Sequence, residues 1–310
     1  MNKAGLSFIT LMAMMFSANL FASNLPVGQC SGMQIQTLGA GGPEINDGLA
    51  STSFLVWING KARVMVDAGG GSSLNFEQST ANFNDLQAVL LTHLHVDHSA
   101  ALPVYVKAGF FTERDTPLGV FGPNSAANFP STTEFVSALF NDTQKSAFPY
   151  LSDNVRQQAS TDYLVKTHNV APENKVWQQA LTDDLSISAI NVLHGPVPAL
   201  AWRVSLGECS VTFSGDMNGR SGNLPVLAKG SQLLVMNNAI GQEAGRIEKS
   251  LHMTPQIIGE IAQEAQVNQL MLAHFMLRST KALDESLTII KADFTGKVIL
   301  ANELESIQVK

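Results

Sequence analysis

The chain has 310 residues, of which 45% are hydrophobic and 15% are charged, and its formal net charge is −7 at pH 7. This length and apolar content allow a large buried core, either in one domain of the larger kind or in two halves that share a site. The acidic balance excludes long-range electrostatic attraction to nucleic acid or to an anionic membrane, so no nucleic-acid partner is expected.

The first residues have the features of an export signal. A cationic start at Met1–Lys3 precedes a mostly apolar run over Ala4–Phe21, and Ala22 offers a small residue for cleavage. The run is short for a membrane span, and a retained anchor is the alternative. We predict a signal peptide over residues 1–22 and a single domain over residues 23–310, in a periplasmic or secreted protein that has no membrane attachment after cleavage.

The chain contains two cysteines, Cys30 and Cys209. In an oxidising compartment they can pair, but the sequence does not show whether their Cα atoms come close enough, so the disulfide stays open. Neither cysteine has the spacing of a metal ligand.

Extended segments dominate the first hundred residues, and Asn59-Gly60 is a strong signal for a two-residue hairpin between two of them. The predicted strands are Met33–Leu38, Ser51–Ile58, Ala62–Asp67 and Leu86–His93. A helix is expected over Ser99–Phe111. The segment Pro123–Asn174 is irregular and includes a short helix at Thr133–Phe140.

Strands return in the second half, and two helices accompany them. Pro255 starts one helix because its missing N–H is no loss at a first helical position, and the other covers Lys281–Ala292. The strands are Leu185–Leu193, Leu200–Leu206, Ser210–Ser214, Leu233–Met236, Gln269–Ala273 and Val298–Ala301. This order predicts two β-rich halves flanked by helices, that is, an α+β fold in which two sheets pack face to face with helices outside.

Four potential metal ligands lie within six residues, at His93, His95, Asp97 and His98. They follow the apolar segment Ala88–Leu91, so they emerge where a buried strand ends. Side chains two apart on an extended segment point the same way, so His93 and His95 can bind one ion. The turn that follows directs Asp97 and His98 to a second position. Imidazole and carboxylate suit zinc and its first-row neighbours. An accidental histidine cluster in a loop is the alternative.

Three further residues of ligand type follow predicted strands. His194 and His274 each end an apolar segment, and Asp216 follows Ser214-Gly215, where glycine allows close approach of the backbone. Each one alone is more typical of a cap or a loop. Together with the first cluster they predict a site for two metal ions.

This pattern resembles the metallo-β-lactamase superfamily, whose members are four-layer αβ/βα sandwiches. Asp67-Ala68-Gly69 is similar to the superfamily's Asp-x-Gly, which supports the site from beneath. The resemblance implies two Zn²⁺ ions, with Mn or Fe as alternatives. It implies a first metal held by His93, His95 and His194, a second held by Asp97, His98 and His274, and a bridge by Asp216.

The segment His252-Met253-Thr254 resembles the tRNase Z and arylsulfatase-like branch, in which such a histidine contacts the substrate. His252 and Asp97 are the candidate catalytic residues. Where tRNase Z has a carboxylate that orients this histidine, the chain has Asn238. An amide cannot favour the charged imidazole, which points to substrates with good leaving groups. Glu243 and Glu248 are alternative partners for the histidine.

The predicted function is an exported dinuclear zinc hydrolase that uses metal-bound hydroxide to cleave sulfate esters, as arylsulfatases do. The alternative is a phosphodiesterase for small molecules such as cyclic nucleotides. A lactonase or β-lactamase and an iron-dependent oxygenase are more distant. The predicted partner is a small anionic ester, and a homodimer is left open.

Overall fold

The computed structural model of the chain describes Met1 and residues 30–141, 145–155, 163–173 and 175–310. The predicted signal peptide and its cleavage point lie outside the described residues, so the division at residue 22 stays a prediction. Among the described residues, no helix has the length and apolar character needed to span a membrane.

The first sheet has seven strands in the order β14-β1-β2-β3-β4-β5-β6. Strands β3 to β6 are parallel, and the pairs β2–β3, β1–β2 and β1–β14 are antiparallel. The bounds are β1 Met33–Gly39, β2 Ser53–Ile58, β3 Lys61–Val66, β4 Ala88–Leu90, β5 Leu118–Pro123, β6 Val165–Val170 and β14 Ser306–Gln308.

The second sheet also has seven strands, in the order β13-β12-β11-β10-β9-β8-β7. Strands β10 to β13 are parallel, and β7, β8, β9 and β10 pair antiparallel in succession. The bounds are β7 Trp177–Ala180, β8 Leu185–His194, β9 Val197–Leu206, β10 Cys209–Phe213, β11 Leu233–Asn237, β12 Gln269–Ala273 and β13 Lys297–Leu300.

Helices lie on the outer faces of the two sheets, in segments that connect the strands. The α-helices are α1 Ser72–Gln78, α2 Val96–Ser99, α3 Leu102–Gly109, α4 Thr132–Phe140, α5 Asn223–Ala228, α6 Glu248–Leu251, α7 Pro255–Glu264, α8 Leu277–Lys281 and α9 Leu283–Asp293. Short 3-10 helices cover Phe83–Asp85 and Pro149–Asn154.

Apolar packing holds the layers together. Phe54 of the first sheet contacts Phe213 of the second, with ring centroids 5.4 Å apart, and Trp202 is fully buried in the same core. A second apolar cluster, which includes Tyr105 of α3, lies on the helix side of the first sheet. The central parallel strands β4, β11 and β12 are almost continuously apolar because both of their faces are covered. The predicted four-layer αβ/βα sandwich is confirmed.

A disulfide joins the two sheets at one end of the sandwich. Cys30 precedes β1, Cys209 begins β10, and their Cα atoms are 5.6 Å apart. The pairing that the sequence left open is therefore formed in the structure.

Candidate metal centre

The residues of ligand type converge because the strands that precede them end at the same edge of the sandwich. In the first sheet, Asp67 follows β3 and the cluster from His93 to His98 follows β4. In the second sheet, His194 ends β8, and Asp216 and His274 follow β10 and β12. Parallel strands point their carboxyl ends the same way, and the two sheets are stacked with these ends together.

The first group of potential ligands consists of His93, His95 and His194. One nitrogen from each ring lies within 4.8 Å of the other two. His194 Nε2 is 3.4 Å from His95 Nδ1. His93 and His194 are buried, whereas His95 is partly exposed at the mouth of the site.

The second group consists of Asp97, His98 and His274, all buried. Asp97 Oδ2 is 3.4 Å from His98 Nε2 and 3.2 Å from His274 Nε2. Asp97 and His98 lie on the short helix α2, which turns the chain directly after His95. The turn that the sequence suggested is therefore one turn of helix.

Asp216 lies between the two groups. Its Oδ2 is 3.6 Å from His194 Nε2, and its Oδ1 is 3.3 Å from His274 Nε2. Gly215 brings it there with a positive φ of 58°, and a Cβ on Gly215 would come within 2.8 Å of Thr92 Cβ. The glycine is thus required both by its backbone conformation and by the close approach of the β4 loop.

The chemistry of this site fits two metal cations. His93 Nε2, His98 Nε2 and His274 Nε2 are buried and have no hydrogen-bond partner in the described part of the chain. A buried polar atom without a partner is costly, and a bound cation would remove that cost for all three. Nitrogen and carboxylate donors suit zinc, and four-coordinate zinc sites use the same donors.

The surroundings divide the pKa values of the histidines into two sets. Burial, with the neighbouring imidazoles, lowers the pKa of His93 and of His95. Burial acts in the same direction on His98 and His274, but the carboxylates beside them outweigh it and raise both pKa values. In the metal-free site, burial thus favours the neutral form of His93 and His95, whereas the carboxylates favour the protonated form of His98 and His274.

We expect zinc binding to the metal-free protein at pH 7 to release on the order of one to two protons per chain. The raised pKa values favour the protonated form of His98 and His274 in the metal-free protein, and a protonated imidazole must lose a proton to bind a cation. Titration calorimetry in buffers of different ionisation enthalpy measures the number released. Affinity should fall as the pH is lowered, and equal heats in all buffers would contradict the expectation.

Asp67 orients the site from beneath, the supporting role that the resemblance implied. Its Oδ2 accepts a hydrogen bond from Thr92 Oγ1 at 2.9 Å and lies 2.7 Å from His98 Nδ1. Its Oδ1 accepts from the Thr92 N–H at 2.7 Å. Asp67 and His274 both have positive φ, 58° and 54°, a strained conformation for residues with a Cβ.

We expect Asp67→Asn to weaken zinc binding by roughly 10- to 100-fold, because an amide no longer holds the His98 ring by charge. Competition with a chromophoric chelator measures the affinity. Asp85→Asn is the matched control, since Asp85 pairs with Lys61 at 3.3 Å outside the site. Equal affinity of the Asp67 variant and the wild type would show that Asp67 does not support the metal ligands.

His252 lies beside the two groups. Its Nδ1 is 3.7 Å from Asp216 Oδ2. One of its ring nitrogens lies within 4.8 Å of a potential ligand atom of His194 and of Asp216. Burial lowers its pKa to about 4, despite Asp216 nearby. His252 is therefore neutral at pH 7. This agrees with the expectation that the charged form of this imidazole is not favoured in this chain.

Asn238 does not orient His252 by a hydrogen bond. Both amide atoms of Asn238 and the Nδ1 of His252 are buried without a hydrogen-bond partner among the described residues. Glu248, one alternative carboxylate, lies 4.0 Å from the Arg278 guanidinium. Arg278 in turn donates a hydrogen bond to the carbonyl of Ala239.

Two supporting contacts were not anticipated from the sequence. Asn237 Nδ2 donates a hydrogen bond of 2.7 Å to Asp216 Oδ1, and His194 Nδ1 lies 2.9 Å from the carbonyl oxygen of Leu251. Asn237 ends a strand that lies beside Asp216, and this position could have predicted its contact. The contact of Leu251 could not be predicted, because any residue has a backbone carbonyl. His168, the remaining histidine, stacks on Phe121 with centroids 4.2 Å apart.

A family model described as the metallo-beta-lactamase superfamily matches residues 46–245 of the chain. A curated protein named Ribonuclease Z from Mycolicibacterium paratuberculosis is 27% identical over 289 residues, covering 89% of this chain and 98% of that protein. Another named Ribonuclease Z, from Enterococcus faecalis, is 24% identical over 281 residues, covering 79% and 88%.

Solved structures share the fold. The metallo-beta-lactamase fold protein YhfI from Bacillus subtilis has a TM-score of 0.68 at 19% identity, over 89% of this chain and 99% of that one. Human tRNase Z, short form, has a TM-score of 0.66 at 18% identity, over 90% and 100%. These findings confirm the predicted resemblance to the superfamily and to tRNase Z.

The relatives named Ribonuclease Z contradict the predicted sulfate ester hydrolase and its alternative, a phosphodiesterase for small molecules. The predictions of a small anionic ester as partner and of no nucleic acid are wrong for the same reason. Net charge sums the whole molecule, and it counts Asp97 and Asp216, which face imidazoles inside the site. The net charge therefore does not indicate which class of substrate the site binds.

The remaining predictions concern localisation, assembly and the identity of the metal. The relatives do not support the arylsulfatase assignment or a periplasmic enzyme. Export rests on residues outside the described part of the chain and stays a prediction, as does the homodimer. The assignment of each ligand to one metal and the choice of zinc also stay predictions.

Proposed function

Because the chain belongs to the metallo-β-lactamase superfamily and is a metal-dependent hydrolase, we propose that it cleaves phosphodiester bonds in RNA. The observation that carries the proposal is the match to relatives named Ribonuclease Z, which extends over 79–89% of the chain. The described residues also include His and Asp groups that could hold two metal ions. The relatives' name identifies RNA as the substrate class.

The ligand roles are part of the proposal. His93, His95 and His194 hold a first Zn²⁺, and Asp97, His98 and His274 hold a second. Asp216 contacts both, since its two oxygens face opposite groups. When bound, two such cations activate water near neutral pH and stabilise the negative charge that develops on a phosphate.

The surrounding residues position these side chains. Asp67 fixes the His98 ring through Nδ1, so that Nε2 faces the site. The carbonyl oxygen of Leu251 does the same for His194. Second contacts of this kind set the tautomer and orientation of a ligand histidine, which keeps the site in place before the substrate arrives.

His252 is the proposed contact to the scissile phosphate. It is nearly buried beside Asp216, and its neutral imidazole carries one N–H for a hydrogen bond. Because its pKa is about 4, it does not supply positive charge at pH 7. Its contribution is therefore orientation of the phosphate by a hydrogen bond.

The test uses zinc-loaded protein and a folded transfer RNA, with DNA of the same sequence as comparison. We expect cleavage of the RNA and release of a defined product. Bis(p-nitrophenyl) phosphate, a small phosphodiester, reports whether the metal site is competent in the same preparation. Cleavage of this reporter without cleavage of any RNA would contradict the proposal.

A further inference from the structure

An open pocket lies beside the candidate metal centre, on the side of His194. It has a volume of about 400 Å³ and is bounded by the loops after β5 and β6 and by the end of the β8–β9 hairpin. Its lining includes Asn124, Ser125, Glu173, Asn191, Leu193 and Pro196. A pocket of this size is in the range of small-molecule sites.

The sheet places this pocket next to the metal centre. Leu90 of β4 is in register with Phe121 of β5, and Pro123 of β5 is in register with Val170 of β6. Neighbouring strands are about 4.8 Å apart. The loops after β5 and β6 therefore begin one and two strands away from β4, the strand that precedes His93 to His98.

The hairpin gives a second, direct connection. His194 is the Cα partner of Val197, and Leu193 is the partner of Pro198. Leu193 and His194 are adjacent and point to opposite sides of the strand. His194 faces the ligand group, whereas Leu193 is 48% exposed. Val197, the strand partner of His194, also lines the pocket, so the pocket begins at the hairpin residue that pairs with a candidate ligand.

The chemistry of the lining selects the kind of group that enters. Glu173 is its charged residue, and none of its described residues is basic, so a phosphate is disfavoured there. The walls are largely apolar, from residues such as Leu193, Pro196 and Val170. Asn124 and Ser125 are exposed, and their side chains make no hydrogen bond within the described chain.

We propose that this pocket binds the nucleobase of a nucleotide that flanks the scissile phosphate. The proposal rests on the proposed function, because it takes RNA as the substrate. A base has flat apolar faces for the apolar walls and polar edges for Asn124 and Ser125. The Glu173 carboxylate accepts a hydrogen bond from an exocyclic amine, as carboxylates do when they recognise cytosine.

The test compares the binding of the four 5′-mononucleotides with that of ribose 5-phosphate, using zinc-loaded protein and titration calorimetry. We expect at least one mononucleotide to bind roughly tenfold tighter than ribose 5-phosphate, since burial of roughly 60 Å² of apolar base surface against the pocket walls contributes about that factor. Leu193→Asp places a charge in the pocket and should remove this difference. Leu193→Ala should reduce it.

The control is Val226→Asp, on α5, where Val226 is 62% exposed and outside the pocket. It should bind nucleotides as the wild type does, with the same zinc content. Equal affinity of the wild type for mononucleotides and ribose 5-phosphate would overturn the inference. So would retention of the difference in Leu193→Asp. Neither result depends on RNA cleavage, so a failure of the proposed function is read separately.

Discussion

We expect Asp216→Asn to lower the rate of hydrolysis by roughly a hundredfold to a thousandfold, and to lower the bound zinc from two ions per chain towards one. Asp216 is 3% exposed and faces both ligand groups. An amide of the same shape removes the negative charge that offsets the cations. Burial opposes this charge, but His274 and His98 outweigh it and hold the pKa of Asp216 well below its usual range.

The measurement is the rate on the small phosphodiester together with elemental analysis for zinc. Asp183→Asn, at an exposed position outside the site, is the matched control and should leave both unchanged. Circular dichroism separates loss of the site from loss of the fold. A variant that keeps two zinc ions and wild-type activity would show that Asp216 is not the bridge.

We expect loss of the disulfide to lower the free energy of unfolding by roughly 2–5 kcal/mol and the melting temperature by roughly 5–15 °C. Cys30 and Cys209 are 179 residues apart in sequence. A cross-link that closes so long a loop restricts the unfolded chain strongly. Urea denaturation of Cys30→Ser/Cys209→Ser and of the wild type measures the difference.

A phosphine reductant gives the internal control. It should shift the wild-type unfolding curve to that of the double serine variant and leave the variant itself unchanged. Cys209 begins β10 and Asp216 follows the other end of that strand, so activity at 25 °C should persist in both. Unfolding curves that coincide without reductant would show that the cross-link adds no stability.

The strand ends that carry the site could be predicted from the sequence. Apolar runs such as Gln269–Ala273 end abruptly at a residue of ligand type, and the structure has the same bounds for β12. The hairpin at Asn59-Gly60 and the helix that begins at Pro255 also form as expected. These features depend on local chain chemistry, so one sequence contains the information.

Other elements could not be predicted because they depend on distant contacts. Val165–Val170 was assigned to an irregular region, yet it forms β6, since its backbone pairs with β5 although its residues alternate little. The cross-link between Cys30 and Cys209 depends on how two sheets stack. The expected helix Ser99–Phe111 is shorter in the structure, where α3 covers Leu102–Gly109, because Ser99 is already the last residue of α2, the helical turn that begins at Val96.

The functional prediction was wrong because it relied on the net charge of the whole chain and on the identity of one residue near the site. Asn238 in place of a carboxylate predicts substrates with good leaving groups, but Asn238 makes no hydrogen bond to His252. The low pKa of His252 follows from burial first. A chemical preference at the reacting bond therefore cannot be deduced from that one residue.

Each ligand group combines side chains from both halves of the molecule: His93 and His95 with His194, and Asp97 and His98 with His274. A cation in either position would be bound by side chains from both halves. It would therefore join the halves at the end of the sandwich opposite the disulfide. Metal occupancy and resistance to unfolding are then thermodynamically coupled. A fluctuation that separates the halves at this end would pull apart both ligand groups together, so bound metal ions and the contact between the halves would be lost in the same step.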